Sequence, residues 1–230
     1  MSMELFFFYL LINIMFYYHT FKDLNIPGIY DHEPYISVFN FPNLKNKNVL
    51  DVGCASGYFS KLFYEMGAES VTSVDINVDV MNLIKERTGY NINVVKKDLY
   101  DIDYHNQFDF VFCGSLLMHV FYPMTLLKVI HTSLKSDGQF ILSTGGIEGD
   151  EPYIRTEPYL GRGKGDVESE VKSANESIWW ISKKSGINMM NTIGFKNVEY
   201  KSSYQLKSTE YGISIGHNYD SLHHIWHGYK

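Results

Sequence analysis

Short apolar runs separated by glycine or polar turns dominate the chain between residues 49 and 143. Five of these runs have the length of buried strands, at 49–52, 69–75, 91–97, 107–113 and 139–143. The stretches after them carry apolar residues at helical spacing, for example Leu126, Leu127, Ile130 and Leu134. Strands that alternate with helices assemble into parallel sheets. The pattern therefore predicts an α/β fold with a doubly wound, mostly parallel sheet.

The first strand leads directly into a turn bracketed by glycines, in the sequence VLDVGCASGYFS at residues 49–60. A helix from Tyr58 onward would direct its first amide groups at a ligand lying over Gly53 and Gly57. The dinucleotide fingerprint is G-x-G-x-x-G, whereas this chain has G-x-x-x-G with Ala55 inside it. A nicotinamide-dependent oxidoreductase is therefore the weaker alternative for this fold.

Acidic residues follow the next two predicted strands. Asp75 ends the second strand about 22 positions after Gly53, close to the offset of a ribose-binding carboxylate. The alternative is that Asp75 only caps the helix that runs to about residue 87. Asp98 and Leu99 follow the third strand, and Asp98 could likewise serve only as a loop cap.

The second half of the chain departs from this rhythm. Residues 145–174 are rich in glycine and proline without a sustained period, which predicts an irregular substrate-side insertion. A helix is predicted over 176–192, a strand over 195–204, and an antiparallel return over 219–229. We expect a lead-in over residues 1–35, with an apolar segment and a lid-like part, and one domain over 36–230.

The composition narrows the classes of partner and compartment. A net charge of −6 and a pI near 5.8 disfavour broad nucleic-acid binding and exclude DNA as an expected partner, although a local lysine patch could hold an RNA. Two cysteines are too few for a disulfide framework, so the cytoplasm is the expected compartment.

The apolar run at residues 5–18 is about 14 residues long, shorter than the roughly 17–25 that a membrane-spanning helix needs. A stable membrane span is not expected. The alternatives are a helix packed on the domain, an extension that precedes a start at Met15, or peripheral membrane attachment.

Three histidines near the end of the chain could suggest a metal site. On a strand, His223 and His227 share one face and His224 points to the other, and no carboxylate or cysteine is spaced to complete a ligand set. No metal is expected.

The motifs taken in order resemble those of the class I S-adenosylmethionine (SAM) dependent methyltransferases. The stretches VLDVGCASGYFS, FDFVFCGSLLMH, SDGQFILSTGGIEGDE and SIWWISKKSGINMMNTIGFKNVE are similar to the branch that includes the wobble-uridine tRNA carboxymethyl transferases. This resemblance implies a Rossmann-like methyltransferase fold, a seven-stranded sheet with a C-terminal antiparallel hairpin, and SAM as the cofactor.

The same resemblance implies roles for particular residues. Asp51 and the turn with Gly53, Cys54, Ala55 and Gly57 would hold the methionine end of SAM. Asp75 and Ile76 would hold the ribose and one adenine face, and Asp98 and Leu99 the adenine edge. Gly114, Ser115 and His119 would line the pocket between the methyl group and the acceptor, while Tyr18 and His19 are candidates for a lid.

His119 is the best single candidate for orienting or deprotonating an acceptor, because imidazole titrates near neutral pH. The alternative is a packed, hydrogen-bonded histidine. The insertion offers further candidates for substrate contact, and a solvated linker is the alternative there: Tyr153, Arg155, Tyr159, Arg162 and Lys164.

Two departures from the tRNA branch bear on the expected function. Those enzymes have a much longer basic N-terminal part, and they carry a tyrosine for the cofactor carboxylate where this chain has Met118. We therefore expect methyl transfer from SAM to an N, O or C acceptor in a small molecule. The alternatives are a tRNA nucleoside methyl or carboxymethyl transferase and an inactive partner subunit, and the oligomeric state is open.

Overall fold

The computed structural model describes residues 18–158, 177–216 and 220–230. Its main sheet has seven strands in the order β3-β2-β1-β4-β5-β9-β8, and β6 pairs with β7 in a separate two-stranded sheet. The strands are β1 (Asn48–Val52), β2 (Ser70–Asp75), β3 (Asn93–Lys96), β4 (Phe108–Gly114), β5 (Leu134–Gly145), β6 (Ile154–Pro158), β7 (Ser177–Ile181), β8 (Lys196–Lys207) and β9 (Asp220–Tyr229). The α-helices are α1 (Ile36–Phe39), α2 (Tyr58–Glu65), α3 (Asp79–Thr88), α4 (Pro123–Ser133), α5 (Lys183–Ile193) and α6 (Glu210–Ser214).

The first five strands of the sheet are parallel, and β9 and β8 form an antiparallel hairpin beside β5. The strand order reverses between β1 and β4, because β2 and β3 extend to one side and β5 to the other. In open α/β sheets, ligands bind at such a switch point, outside the carboxyl ends of the strands. The predicted fold class is confirmed, including the C-terminal hairpin.

The core lies in two layers, one on each face of the sheet. On β4, Phe110 and Phe112 pack on one face with Phe59 and Phe63 of α2. Val111 and Cys113 point to the opposite face, toward α4, α5 and Trp226. This alternation requires nearly every residue of β4 to be apolar, which explains the continuous run seen in the sequence.

The prediction of one helix over 176–192 is wrong at its amino end. Residues 177–181 form β7, which pairs antiparallel with β6, and α5 begins only at Lys183. Ser182 ends the strand and caps the helix by accepting a hydrogen bond from the Ser185 backbone N–H. Isoleucine and tryptophan are strand formers, and here Trp179 also donates to the Val120 carbonyl at 2.7 Å.

The segment at 145–174 is predicted to be irregular, but it contains a regular strand, β6, at 154–158. Tyr159, Arg162 and Lys164 lie outside the described residues, as does the apolar run up to residue 17. The described part of the lead-in is irregular as predicted, with short 3₁₀ helices at Lys22–Leu24 and Glu33–Tyr35.

Within residues 18–158, 177–216 and 220–230, no helix is both long enough and apolar enough to cross a membrane.

A single glycine in α5 gives a test of the packing between this helix and the sheet. Alanine normally improves a helix over glycine by about 0.5–1 kcal/mol, but a Cβ at Gly186 would lie 2.5 Å from the Trp226 ring. Overpacking of this kind costs about 1–3 kcal/mol. We expect Gly186→Ala to lower the free energy of unfolding by about 1–2 kcal/mol in urea denaturation.

The matched control is Asn188→Ala, at an exposed position of the same helix. This change should leave the stability unchanged or raise it by a few tenths of a kcal/mol, about the difference in helix propensity. A Gly186→Ala protein as stable as its parent would show that Trp226 does not pack closely on α5.

Candidate functional site

The turn between β1 and α2 takes an unusual backbone path. Gly53, Ala55 and Gly57 all have positive φ angles, of 76°, 47° and 85°. This conformation is costly for alanine, so Ala55 must be held by its surroundings. The Asp75 carboxylate at the end of β2 accepts a hydrogen bond from the Ala55 N–H at 2.8 Å and another from the Asn77 N–H at 3.0 Å. The carboxylate therefore fixes the turn against the neighbouring strand.

Asp51, beneath this turn, is buried in β1. Ser73 donates to Ser60, and Ser60 donates to the Asp51 carboxylate at 2.6 Å. Burial raises the pKa of Asp51 to about 7, and the nearby Asp75 charge acts in the same direction. Asp51 therefore supports the turn from below and changes its charge near neutral pH.

Two adjoining cavities open at the carboxyl ends of the strands. The smaller, of about 50 Å³, is mostly apolar, and its lining includes Val74, Ile76, Leu99, Ile102 and Val120. The larger, of about 260 Å³, lies over the turn and is bounded by Cys54, Ala55, Gly114 and Ser115. Both are lined by Gly53, Asp75, Ile76, Leu116 and His119. An elongated ligand with an apolar end and a polar middle could therefore span the two cavities past Asp75.

The lead-in closes the outer side of the larger cavity. The Ser56 hydroxyl accepts a hydrogen bond from the His19 backbone N–H and also bonds the His19 ring at Nδ1, both at 2.9 Å. Tyr18, His19 and His32 line the cavity from this side. Burial lowers the pKa of His32 to about 4 and that of His19 well below its ordinary value. The lead-in thus contributes imidazole rings that are neutral near pH 7.

Most of the residues predicted for the site lie together. Gly53, Cys54, Ala55, Asp75, Ile76, Leu99, Gly114, Ser115 and His119 line one or both cavities. Asp51 and Gly57 do not line them: Asp51 is buried under the turn, and a Cβ at Gly57 would meet the Met81 sulfur.

The two alternatives for the acidic residues have different outcomes. Helix α3 begins at Asp79 with Val78 as its cap, so the alternative that Asp75 caps this helix is wrong. Asp98 caps the 3₁₀ helix Leu99–Asp101 by accepting from the Tyr100 N–H, and it lines neither cavity. The cap predicted as its alternative is therefore present, and the adenine contact stays a prediction.

Some lining residues were not predicted. His32 and Tyr204 face the larger cavity, Lys97 the smaller, and Leu116 both. Leu116 follows Ser115 and Lys97 precedes Asp98 in the sequence. Their position directly after a strand could therefore have indicated that they line the site. His32 and Tyr204 come from the lead-in and from β8, and no local pattern connects these segments to the turn.

The three histidines of β9 are buried and separately bonded. His223 bonds the Ser221 hydroxyl, His224 the Ile147 carbonyl and His227 the Phe39 carbonyl. His223 and His227 share one face of the strand, as predicted. Among the described residues, no group of three or more histidine, cysteine or acidic side chains could hold a metal ion.

The raised pKa of Asp51 predicts how its charge affects stability. Its ordinary pKa of 3.8 rises to about 7 in the fold, so the fold binds this proton more tightly than the unfolded chain does. The stabilisation is fully present below the unfolded value and is lost as the pH rises through the folded value. We expect Asp51→Asn to be more stable than its parent in urea denaturation by a margin that is small near pH 5 and clearly larger near pH 8, because the parent loses stability progressively between pH 3.8 and about 7.

The asparagine side chain retains an oxygen that can accept the hydrogen bond from Ser60. Because both proteins contain the same histidines, the difference between their stabilities depends on pH only through the ionisation of Asp51. An equal difference in stability at the two pH values would show that Asp51 ionises normally.

Comparison with known sequences identifies the family of this site. A family profile described as a methyltransferase domain matches residues 33–200. A tRNA U34 carboxymethyltransferase of Nautilia profundicola is 38% identical over 116 residues, which are 47% of this chain and 38% of that protein. A ubiquinone biosynthesis O-methyltransferase of Pseudomonas syringae pv. tomato is 28% identical over 181 residues, covering 72% of this chain and 75% of that one. This chain spans less than half the length of the tRNA enzymes it matches.

A solved structure shares the fold. The 1,6-didemethyltoxoflavin-N1-methyltransferase of Burkholderia thailandensis, determined with S-adenosylhomocysteine (SAH), superimposes with a TM-score of 0.62 at 18% identity. The superposition covers 86% of this chain and 77% of that one. The resemblance inferred from the sequence motifs is confirmed, and SAM as cofactor is consistent with the SAH in that neighbour. Since the matched profile spans more than half of the chain, this protein belongs to the methyltransferase-domain family.

Proposed function

We propose that this protein transfers a methyl group from SAM to an N, O or C atom of a small molecule held in the larger cavity. The observation that carries the proposal is the pair of cavities that meet at Asp75 over the Gly53–Gly57 turn. The smaller cavity has the apolar lining that an adenine ring needs. The larger one lies against bare backbone, where a methionine moiety and an acceptor could meet.

The residues present fit the cofactor. Asp75 is placed to accept hydrogen bonds from ribose hydroxyls, with Ile76 and Leu99 as apolar contacts for the adenine. The backbone of Gly53, Cys54 and Ala55, with Gly114 and Ser115, would hold the methionine end. When bound, SAM supplies a methyl group on a positively charged sulfur and leaves as the neutral thioether.

The protein's own contribution would be alignment and the exclusion of water. Such a displacement needs the acceptor atom in line with an already activated donor, so positioning can supply much of the rate. His119 lines both cavities and is the proposed group for orienting the acceptor or taking its proton. The lead-in up to residue 35 would act as the cover, with the ligand-binding domain after it.

A second candidate is methyl or carboxymethyl transfer to a tRNA nucleoside, which is favoured by the names of several relatives. Met118 counts against the carboxymethyl version, because it is buried and offers no hydroxyl for a cofactor carboxylate. The free, buried Cys54 and Cys113 support a reducing compartment, and we propose the cytoplasm.

Binding measurements test the cofactor directly. We expect SAM and SAH to bind at micromolar strength in isothermal titration and NADH not to bind. Asp75→Ala should weaken SAH binding by about a hundredfold, since it removes hydrogen bonds to a charged group that are each worth about 1.5–3 kcal/mol. The control is Asp79→Ala, an exposed position with the same loss of charge, which should retain the parental affinity.

Unchanged SAH affinity in the Asp75→Ala protein would contradict the ribose role. Binding of NADH without SAM would support an oxidoreductase instead. If neither sulfur ligand bound the parent protein, an inactive partner subunit would become the better explanation.

A further inference from the structure

We propose that the larger cavity accepts an uncharged aromatic ring with a hydroxyl group, of the class of phenols and hydroxylated heterocycles. This inference rests on the proposed function, since it concerns the acceptor side of the same cavity. Away from the predicted cofactor residues, the lining formed by the described residues is mostly aromatic or imidazole: Tyr18, His32, Phe39, Phe59, Phe112 and Tyr204. The size and chemistry of this wall favour a flat ring.

The aromatic wall is packed as one unit. The ring centroids of Phe59 and Phe112 lie 4.5 Å apart, and Phe39 lies 5.4 Å from Phe59 and 5.5 Å from Tyr204. Phe39 and Phe112 are almost completely buried and support the wall from behind, so the aromatic surface open to a ligand is that of Tyr18 and the edges of Phe59 and Tyr204. Offset and edge-on contacts with such rings stabilise an aromatic ligand beyond the simple burial of its area.

The described lining of this cavity contains no lysine or arginine, and Asp75 is its one carboxylate. The cations of the neighbouring lead-in and helix α2 are already paired. Lys22 lies 2.8 Å from Asp31 and 2.7 Å from Glu33, and Lys61 pairs with Asp23 and Glu65. Lys97 lines the smaller cavity, at the proposed adenine end.

The two imidazole rings of the lead-in, His19 and His32, do not replace the missing cations. Burial holds the pKa of His32 at about 4, and both burial and the neighbouring His32 lower the pKa of His19. Both rings are therefore neutral near pH 7. A carboxylate or phosphate held against the lead-in would lose its hydration without gaining a counter-charge from a lysine, an arginine or these two rings, which is strongly unfavourable.

Neutral polar groups remain for a hydroxyl. Ser115 Oγ and His223 Nδ1 are 3.4 Å apart, and the Tyr204 hydroxyl is 3.3 Å from Ser143 Oγ. Both bonds are long, since the usual distance is about 2.9–3.0 Å between a nitrogen and an oxygen and about 2.7–2.8 Å between two hydroxyl oxygens. Ser115 and Tyr204 can therefore bond a ligand hydroxyl at little cost to the bonds they already make.

The test compares ligands of similar shape and different charge, with the full chain saturated with SAH. We expect p-hydroxyacetophenone to bind at least about tenfold more tightly than p-hydroxybenzoate in isothermal titration, because only the second ligand buries a charge. Uridine and uridine monophosphate form a second pair, and uridine should bind more weakly than the neutral phenol. Arg162 and Lys164 are present in this protein, so any cation they supply is included.

A variant that supplies a cation should remove the preference for the neutral phenol. Tyr18→Arg places a guanidinium at the cavity lining and should lower the ratio of the two phenol affinities by at least about tenfold. The control is Tyr229→Arg, which makes the same change at the end of β9 that lies away from His223 and the cavity. Tyr229 is partly exposed, and this variant should leave the affinity ratio unchanged.

The outcomes separate this inference from the proposed function. Failure of SAH to bind the parent protein overturns the proposed function and this inference with it. If SAH binds, equal or tighter binding of p-hydroxybenzoate overturns the inference alone, as does binding of neither phenol. Tighter binding of uridine than of the neutral phenol overturns the choice of a free phenol and favours a nucleoside. These comparisons stand on the parent protein even if Tyr18→Arg does not fold.

Discussion

The site depends on the hydrogen bond between the Ala55 N–H and the Asp75 carboxylate. Ala55 has a positive φ angle that alanine adopts only under constraint, and the carboxylate supplies that constraint from the neighbouring strand. The constrained turn forms one wall of the larger cavity and places Ser56 where it bonds to the lead-in. One short contact between the turn after β1 and the end of β2 therefore links the ligand-facing backbone to the segment that covers it.

Burial controls the electrostatics of the site more than charge pairing does. The carboxyl of Asp51 and the imidazoles of His19 and His32 all have pKa values displaced toward their neutral forms, for the same reason of lost hydration. The ion pairs of the lead-in lie outside the cavity, where Lys22 and its partners are exposed to solvent. An interior of this kind suits a reaction whose charged donor becomes neutral, because Asp75 is the one carboxylate in the described lining that would favour the charged form.

The sequence predicts those site residues that follow directly after a strand. A buried strand followed by a glycine turn and a helix is one continuous signal, and Asp75 follows its strand for the same topological reason. The apolar residues at 177–181 suit the start of an amphipathic helix as well as a strand, and only the pairing with β6 makes this segment a strand. His32 and Tyr204 reach the cavity through contacts between distant segments, which no window of neighbouring residues contains.

The position of β9 has a consequence for how the protein acquires its shape. Among the strands of the described residues β9 comes last in sequence, yet it lies inside the sheet between β5 and β8. During synthesis, β8 cannot join the sheet until residues 220–229 have left the ribosome, so an early intermediate would expose the edge of β5. Exposed edges of this kind are templates for pairing with other chains. The order of the strands thus places the greatest risk of aggregation in the interval before residues 220–229 join the sheet.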